Sequence, residues 1–431
     1  VKSNILNPNT WSKPAENLQV SAATAGLPAP ENTPAEAPGV AGIGVRRALY
    51  VDNPIYAEAA YGPNHPLAIA RTQSVRELCR INGWLPAHAS CVSEPADPRD
   101  LSRFHSRDYI RALRAADEAG RASRAVRERY AVGTMENPVF RGVFRRAAST
   151  VGGSITAARL ALDGRVVYHP AGGTHHGRPD RASGFCYFND PVFAIATLLD
   201  AGIGHVLYAD LDAHHGDGVE DAWRDDPRVA LFSIHEAARW PHTGPIESAE
   251  RERICNVPVP RGCNDTEYAY VLDELLEPLV ERTKPEAVVI TCGADALHGD
   301  PLSTMALSNV ALWQAVERIA AYADSVVVLG GGGYNPWTVA RCWSGLWARL
   351  SGQPIADTLP AAAVHVLGEL ESDLVDEDER DPAWLDTITD EPRTGAIRPE
   401  IETLVQQCRG QQPGQGARIV QPAINGDRTH P

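Results

Sequence analysis

The chain has 431 residues, 43% hydrophobic and 22% charged, a globular composition that excludes wholesale disorder. Its 40 Lys and Arg against 55 Asp and Glu give a net charge of −15, which argues against direct nucleic-acid binding, because phosphate backbones reward clustered cations. Eight cysteines with no Cys-x-x-Cys pair read as reduced thiols, and no apolar run approaches the ~20 residues that cross a bilayer.

Residues 1–44, rich in Pro, Ala, Asn and Glu, read as a disordered leader. The opening Val1-Lys2-Ser3-Asn4 lacks an apolar signal-peptide core, so a cytoplasmic protein with no membrane partner is expected. Periodicity then predicts helices over 71–82 and 140–162, a strand over 166–168 and a helix over 192–201. Strands come next over 205–209 and 229–234, then a helix over 266–283 that Pro278 bends. A strand over 287–291, a helix over 310–322 and a strand over 325–329 complete the series. Such alternation implies crossover connections, hence a single α/β domain with a mostly parallel sheet covered by helices on both faces. The alternation runs over roughly 45–368. Residues 369–391 hold eleven acids against Arg380, a net −10 that reads as a solvated face or a loose connector. Residues 405–431, rich in Gln, Gly and Pro, read as a disordered tail.

The segments just after the strands are the most informative. The strand ends run into Gly172-Gly173-Thr174-His175-His176-Gly177, Asp210-Leu211-Asp212-Ala213-His214-His215-Gly216-Asp217, Ser233-Ile234-His235, Cys292-Gly293-Ala294-Asp295 and Gly330-Gly331-Gly332-Gly333-Tyr334. Ligands bind outside the carboxyl ends of parallel strands, so five polar strand ends predict one site. Asp212 and His214, two apart on an extended segment, project to the same side. With Asp295 they form an O,N,O set that leaves a position open, the mark of a catalytic zinc; without a thiolate ligand, Fe(II), Co(II) or Mn(II) also suit. Asp210 and Asp217 are placed to hold the imidazoles of His175 and His176, and two such dyads beside one metal suggest acid/base hydrolysis. The glycines before Tyr334 let its phenol swing toward the metal as an oxyanion donor. His65, His88, His105, His169, His205, His365 and His430 read as ordinary structural hydrogen-bonders.

These motifs, with Ser183-Gly184-Phe185-Cys186-Tyr187-Phe188-Asn189-Asp190, closely resemble the zinc-dependent histone deacetylase family, nearest to its bacterial histone-deacetylase-like and acetoin-utilisation branch. The resemblance begins near Tyr61-Gly62-Pro63-Asn64-His65-Pro66 and extends the expected domain to 45–404. It implies the arginase/deacetylase fold and zinc held by Asp212, His214 and Asp295. It makes His176, paired with Asp217, the general base that then protonates the leaving amine; His175, paired with Asp210, its electrostatic partner; and Tyr334 the oxyanion donor. Gly184, Phe185, Trp240 and Leu302 match the acyl-lysine tunnel and its rim, and Arg71 an arginine near an acetate-exit cavity. A structural potassium would use Asp210, Asp212, the carbonyls of His214 and Ile234 and the Ser233 hydroxyl.

Two positions depart from the family pattern. Glu136 stands where many members carry a substrate-clamping Asp, and Arg239-Trp240-Pro241-His242-Thr243-Gly244 varies a Phe-Pro-Gly-Thr-Gly loop. Dimanganese arginase relatives need carboxylates where Gly216 and Leu297 stand, so one catalytic metal is the better count. The expected substrate is an acetylated lysine of a protein. A small acetylated amine such as an acetylpolyamine is the alternative enzyme reading, and an acyl-lysine-binding pseudoenzyme the non-enzyme one.

Overall fold

The computed structural model describes residues 48–58, 60–247 and 252–410; the expected leader and residues 411–431 lie outside them. Eight strands form one sheet: β1 Leu49–Asp52, β2 Ser90–Val92, β3 Val166–His169, β4 Val206–Asp210, β5 Val229–Glu236, β6 Ile254–Val259, β7 Ala287–Thr291 and β8 Ser325–Leu329. Their order is β2-β1-β3-β8-β7-β4-β5-β6, and every pairing is parallel. The sheet is thus wholly rather than mostly parallel. All five predicted strands are present; β1, β2 and β6 were not foreseen. Two of these are short, and β6 contains Asn256 and Pro258, which the sheet tolerates because β6 lies at its edge.

Helices cover both faces, so the central strands are unbroken apolar runs rather than alternating ones. Alternation reappears in the partners that the side chains meet. Tyr168, Leu207, Phe232, Ile290 and Val328 enter one core with the helices Asp265–Thr283, Asn309–Ala320 and Pro336–Leu350. Val167, Tyr208, Leu231, Val289 and Val327 enter the other, with Val143–Ala161 and Asp190–Asp200.

Asp265–Thr283 begins at a capping box: the Asn264 side chain accepts from Thr266 and Glu267 N–H, and Glu267 accepts from Asn264 N–H. It runs as one helix through Pro278. Proline gives no N–H to the carbonyl four residues back. That carbonyl, Glu274 O, accepts instead from Arg409 Nε at 3.1 Å. Arg409 belongs to the helix Pro399–Gly410, which corrects the expectation that the tail starts at 405. Ile401, Leu404 and Val405 bury that helix against the core, and a buried apolar stripe orders a short helix where composition alone suggests none.

The acidic segment 369–391 is a solvated face, but it is not a loose connector. Its acids are exposed apart from half-buried Asp390, while Leu370, Val375, Trp384 and Ile388 are buried. Asp390 lies 2.6 Å from the guanidinium of Arg341, which is only 1% exposed. Trp384 stacks over Trp337 with centroids 6.4 Å apart, and Arg380 lies 5.5 Å above the same Trp337 ring. Among the described residues, no helix is long and apolar enough to cross a membrane.

Candidate active site

The carboxyl ends of β3, β4, β5, β7 and β8 bring the predicted polar motifs to one edge of the sheet. Asp212, His214 and Asp295 are buried, and their ligand atoms all lie within 4.8 Å of one another. His214 Nδ1 sits 3.2 Å from Asp212 Oδ1 and 2.9 Å from Asp295 Oδ2. The backbone fixes both carboxylates: Gly332 N–H donates to Asp212 Oδ2 at 2.6 Å and Ala213 N–H to Asp295 Oδ1 at 3.0 Å.

The glycines around them are required for space. A Cβ on Gly293 would meet Asp212 Oδ2 at 2.2 Å, and one on Gly332 would meet Asp295 Oδ2 at 2.1 Å. Two carboxylates and an imidazole so confined, with no other cation among them, fit a divalent ion. Burial and then the charge of Asp212 push Asp295 up to about 6. Burial disfavours the imidazolium of His214, but Asp212 and Asp295 outweigh it and hold its pKa well above the usual value. Crowded negative charge contributes to both displacements, behind burial at Asp295.

The paired histidines differ electrically although they are neighbours, with ring centroids 3.9 Å apart. His175 Nδ1 bonds Asp210 Oδ2 at 2.8 Å, and His176 Nδ1 bonds Asp217 Oδ1 at 2.8 Å. Burial opposes the charge on His175, yet Asp210 and Asp212 raise it to about 9. Burial and the charge on His175 lower His176 to about 3, with Asp217 opposing. His175 is thus biased toward its charged form and His176 toward its neutral one.

Tyr334 is buried, its ring 6.3 Å from that of His214 and 5.8 Å from that of Phe185. Burial, reinforced by Asp295, keeps its phenol protonated. Trp240, 38% exposed, stands with its ring 4.5 Å from that of His176. Gly184 fits between them: a Cβ there would lie 2.3 Å from the Trp240 ring and 2.6 Å from His176. Phe185 comes next, with a left-handed φ of 66°.

The rim residues are held more loosely. Glu136 is exposed and accepts the Gly184 N–H, while the half-buried Leu302 donates its N–H to Asp300 at 2.9 Å. Arg71 donates to Gly331 O and lies 4.8 Å over Trp343, on a cavity of about 310 Å³ that also meets Tyr56, Arg146 and Phe185. Asp210 pairs with Ser233 across β4 and β5, beside Ile234.

Three supporting residues were not foreseen. Asp190 accepts the N–H groups of Gly173 and Thr174 at 3.0 and 2.7 Å, and so shapes the loop that carries the histidines. Arg178 bonds the second oxygen of Asp217. Asp300 accepts the Tyr334 N–H at 2.7 Å. Their spacing assigns none of them a role: Asp190 and Asp300 are found as buried acids facing backbone N–H groups, and Arg178 by its bond to Asp217.

Residues 65–350 match the model of a family described as the histone deacetylase domain. The chain is 36% identical to histone deacetylase 2 of Oryza sativa subsp. japonica over 326 residues, 73% of this chain and 64% of that protein. It thus spans less than two thirds of the rice relative's length. Histone deacetylase 8 of Danio rerio is 32% identical over 327 residues, 73% of this chain and 84% of its own. A solved histone deacetylase homologue from Aquifex aeolicus superposes with a TM-score of 0.80 at 33% identity, covering 84% of this chain and 100% of that one. A homologue complexed with SAHA gives 0.80 at 32%. With the family match laid over these same strand ends, the chain belongs to the histone deacetylase family.

Proposed function

We propose that the chain is a metal-dependent amidohydrolase that removes acetyl or related acyl groups from lysine side chains of proteins. The observation that carries this reading is the pair of adjacent histidines, each bonded to its own carboxylate at 2.8 Å, beside a buried Asp-His-Asp triad. Asp212, His214 and Asp295 would hold zinc, with Fe(II) or Co(II) as alternatives. When bound, such an ion polarises the acyl carbonyl and lowers the pKa of a water.

The chain's own residues do the rest. His176 gives its Nδ1–H to Asp217, so Nε2 is free to take a proton from the attacking water and later return it to the leaving amine. His175, charged and held by Asp210, favours the negative charge that builds in the transition state. The Tyr334 hydroxyl donates to the developing oxyanion. Gly184, Phe185 and Trp240 wall a slot that favours a neutral acyl-lysine stem, with Glu136 and Leu302 at its rim. Arg71 faces the cavity through which acetate would leave.

A structural potassium belongs to the same reading. His235 Nε2 meets Gly244 O at 2.9 Å, so His235 Nδ1 accepts the Ser233 hydroxyl hydrogen at 2.9 Å. The Ser233 oxygen keeps its lone pairs for a cation shared with Asp210, Asp212 and the carbonyls of His214 and Ile234. A bacterial, cytoplasmic deacetylase of the acetoin-utilisation type is the setting this reading favours, and the eight free cysteines accord with a reducing compartment.

Zinc-loaded protein and its Tyr334→Phe variant, assayed on an acetyl-lysine peptide and on an acetylated polyamine, test the substrate. Faster turnover of the peptide, lost in the variant, is expected. Preference for the polyamine would transfer the reading to the small-molecule class.

A further inference from the structure

The opposite end of the sheet holds a second cavity, of about 710 Å³, a volume that suits a nucleotide-sized ligand. It opens where β4, β5, β6 and β7 begin, so it is separated from the metal triad by the length of β4, roughly 15 Å. In a protein of net charge −15, five cations line it, Arg224, Arg228, Arg253, Arg282 and Lys284, against the acids Asp225 and Glu252.

Those cations fall into two groups. Arg224 is neutralised by Glu220 and Glu247, each at 3.1 Å, and Arg228 by Asp226 at 2.6 Å. Arg253, Arg282 and Lys284 have no carboxylate within ion-pair distance among the described residues. Arg253 Nη1 donates to the carbonyls of Asp226 and Val229 at 2.6 and 2.9 Å, which fixes its plane. Its Nε and Nη2 have no protein acceptor among the described residues. Arg282 Nε is likewise anchored on a carbonyl, Glu252 O, at 2.7 Å. Lys284, at the left-handed cap of Asp265–Thr283, is exposed beside them.

Fixed guanidiniums with free N–H edges match the paired oxygens of phosphate, and an ammonium beside them adds a mobile charge. We propose that this cavity binds a small phosphorylated molecule through Arg253, Arg282 and Lys284. The proposal is independent of the reading of the active site. Three cations converging on one cavity favour a compact ligand over a polymer, whose binding would need cations spread along a surface track.

Calorimetric titration of the full chain with inorganic pyrophosphate, against chloride at matched ionic strength, tests it. Saturable binding is expected, weakened by about tenfold or more in the double variant Arg282→Gln, Lys284→Gln. Both side chains are exposed, and an unchanged melting transition and circular dichroism spectrum would show that the variant folds. Absence of saturable heat at millimolar pyrophosphate would overturn the proposal, as would equal binding by the double variant. A single-stranded oligonucleotide binding much more tightly than pyrophosphate, and losing that binding in the same variant, would overturn the small-ligand assignment.

Discussion

The floor of the active site and its rim are built differently. On the floor, Asp212, Asp295, His175 and His176 are buried, each held by at least one hydrogen bond from the surrounding fold. At the rim, Glu136 is exposed, neighbouring Met135 is 95% exposed, and Trp240 is 38% exposed. Floor geometry is therefore fixed before substrate arrives, whereas rim side chains are free to adapt to it. Preorganised groups act on the transition state and adaptable ones act mainly on binding. The two regions should accordingly fail in different kinetic constants.

The largest effect is expected from His214→Ala. It should abolish stoichiometric zinc retention, measured by elemental analysis, and lower kcat by about a thousandfold or more. Tyr334→Phe should keep the metal, hold KM near its original value and lower kcat by about a hundred- to a thousandfold. Asp190→Asn places an amide among backbone donors that need an acceptor. About 1–3 kcal/mol of stability should be lost, read by denaturant melts, together with a fall in kcat from misplaced histidines. At the rim, Trp240→Ala should raise KM severalfold and leave kcat nearly intact. Glu136→Gln should do least, because its amide oxygen still accepts the Gly184 N–H. A rim substitution that collapses kcat as deeply as Tyr334→Phe would erase the distinction.

The floor and the core beneath it also predict a pH response. Burial lowers His105, His169 and His235 to about 3. Unfolding lets each take a proton near its ordinary value of about 6.5, so below that pH the unfolded state binds more protons than the folded one. Through these three rings stability should fall continuously from about pH 6.5 toward 3, and through His175, raised to about 9, it should also fall as the pH climbs from about 6.5 toward 9. Thermal melts across that window check it. A melting temperature that holds constant down to pH 4 would contradict the neutral burial of these rings.

The same division explains which features were legible in the sequence. Floor residues sit in glycine-flanked motifs at strand ends, and a parallel sheet is obliged to gather such ends. Asp212, His214 and Asp295 are therefore legible as one set from their strand ends alone. The rim loops and the supporting acids, Asp190 at the start of a helix and Asp300 in a loop, reach the floor only through tertiary packing. Nothing local in Asp190 says that it caps the Gly173–Thr174 backbone, and nothing in Glu136 says that it reaches Gly184. The order of Pro399–Gly410 was hidden for a related reason. Its buried stripe and its bond to the Glu274 carbonyl, left without a donor by Pro278, both meet partners far earlier in the chain.

The most direct test of a metal-dependent floor is turnover of an acetyl-lysine peptide by the protein stripped with a chelator and then titrated with zinc. Turnover should vanish on stripping and return linearly with zinc, levelling off at one equivalent. Turnover that survives stripping, or that stays absent with zinc, iron(II) and cobalt(II) alike, would contradict a metal-dependent floor.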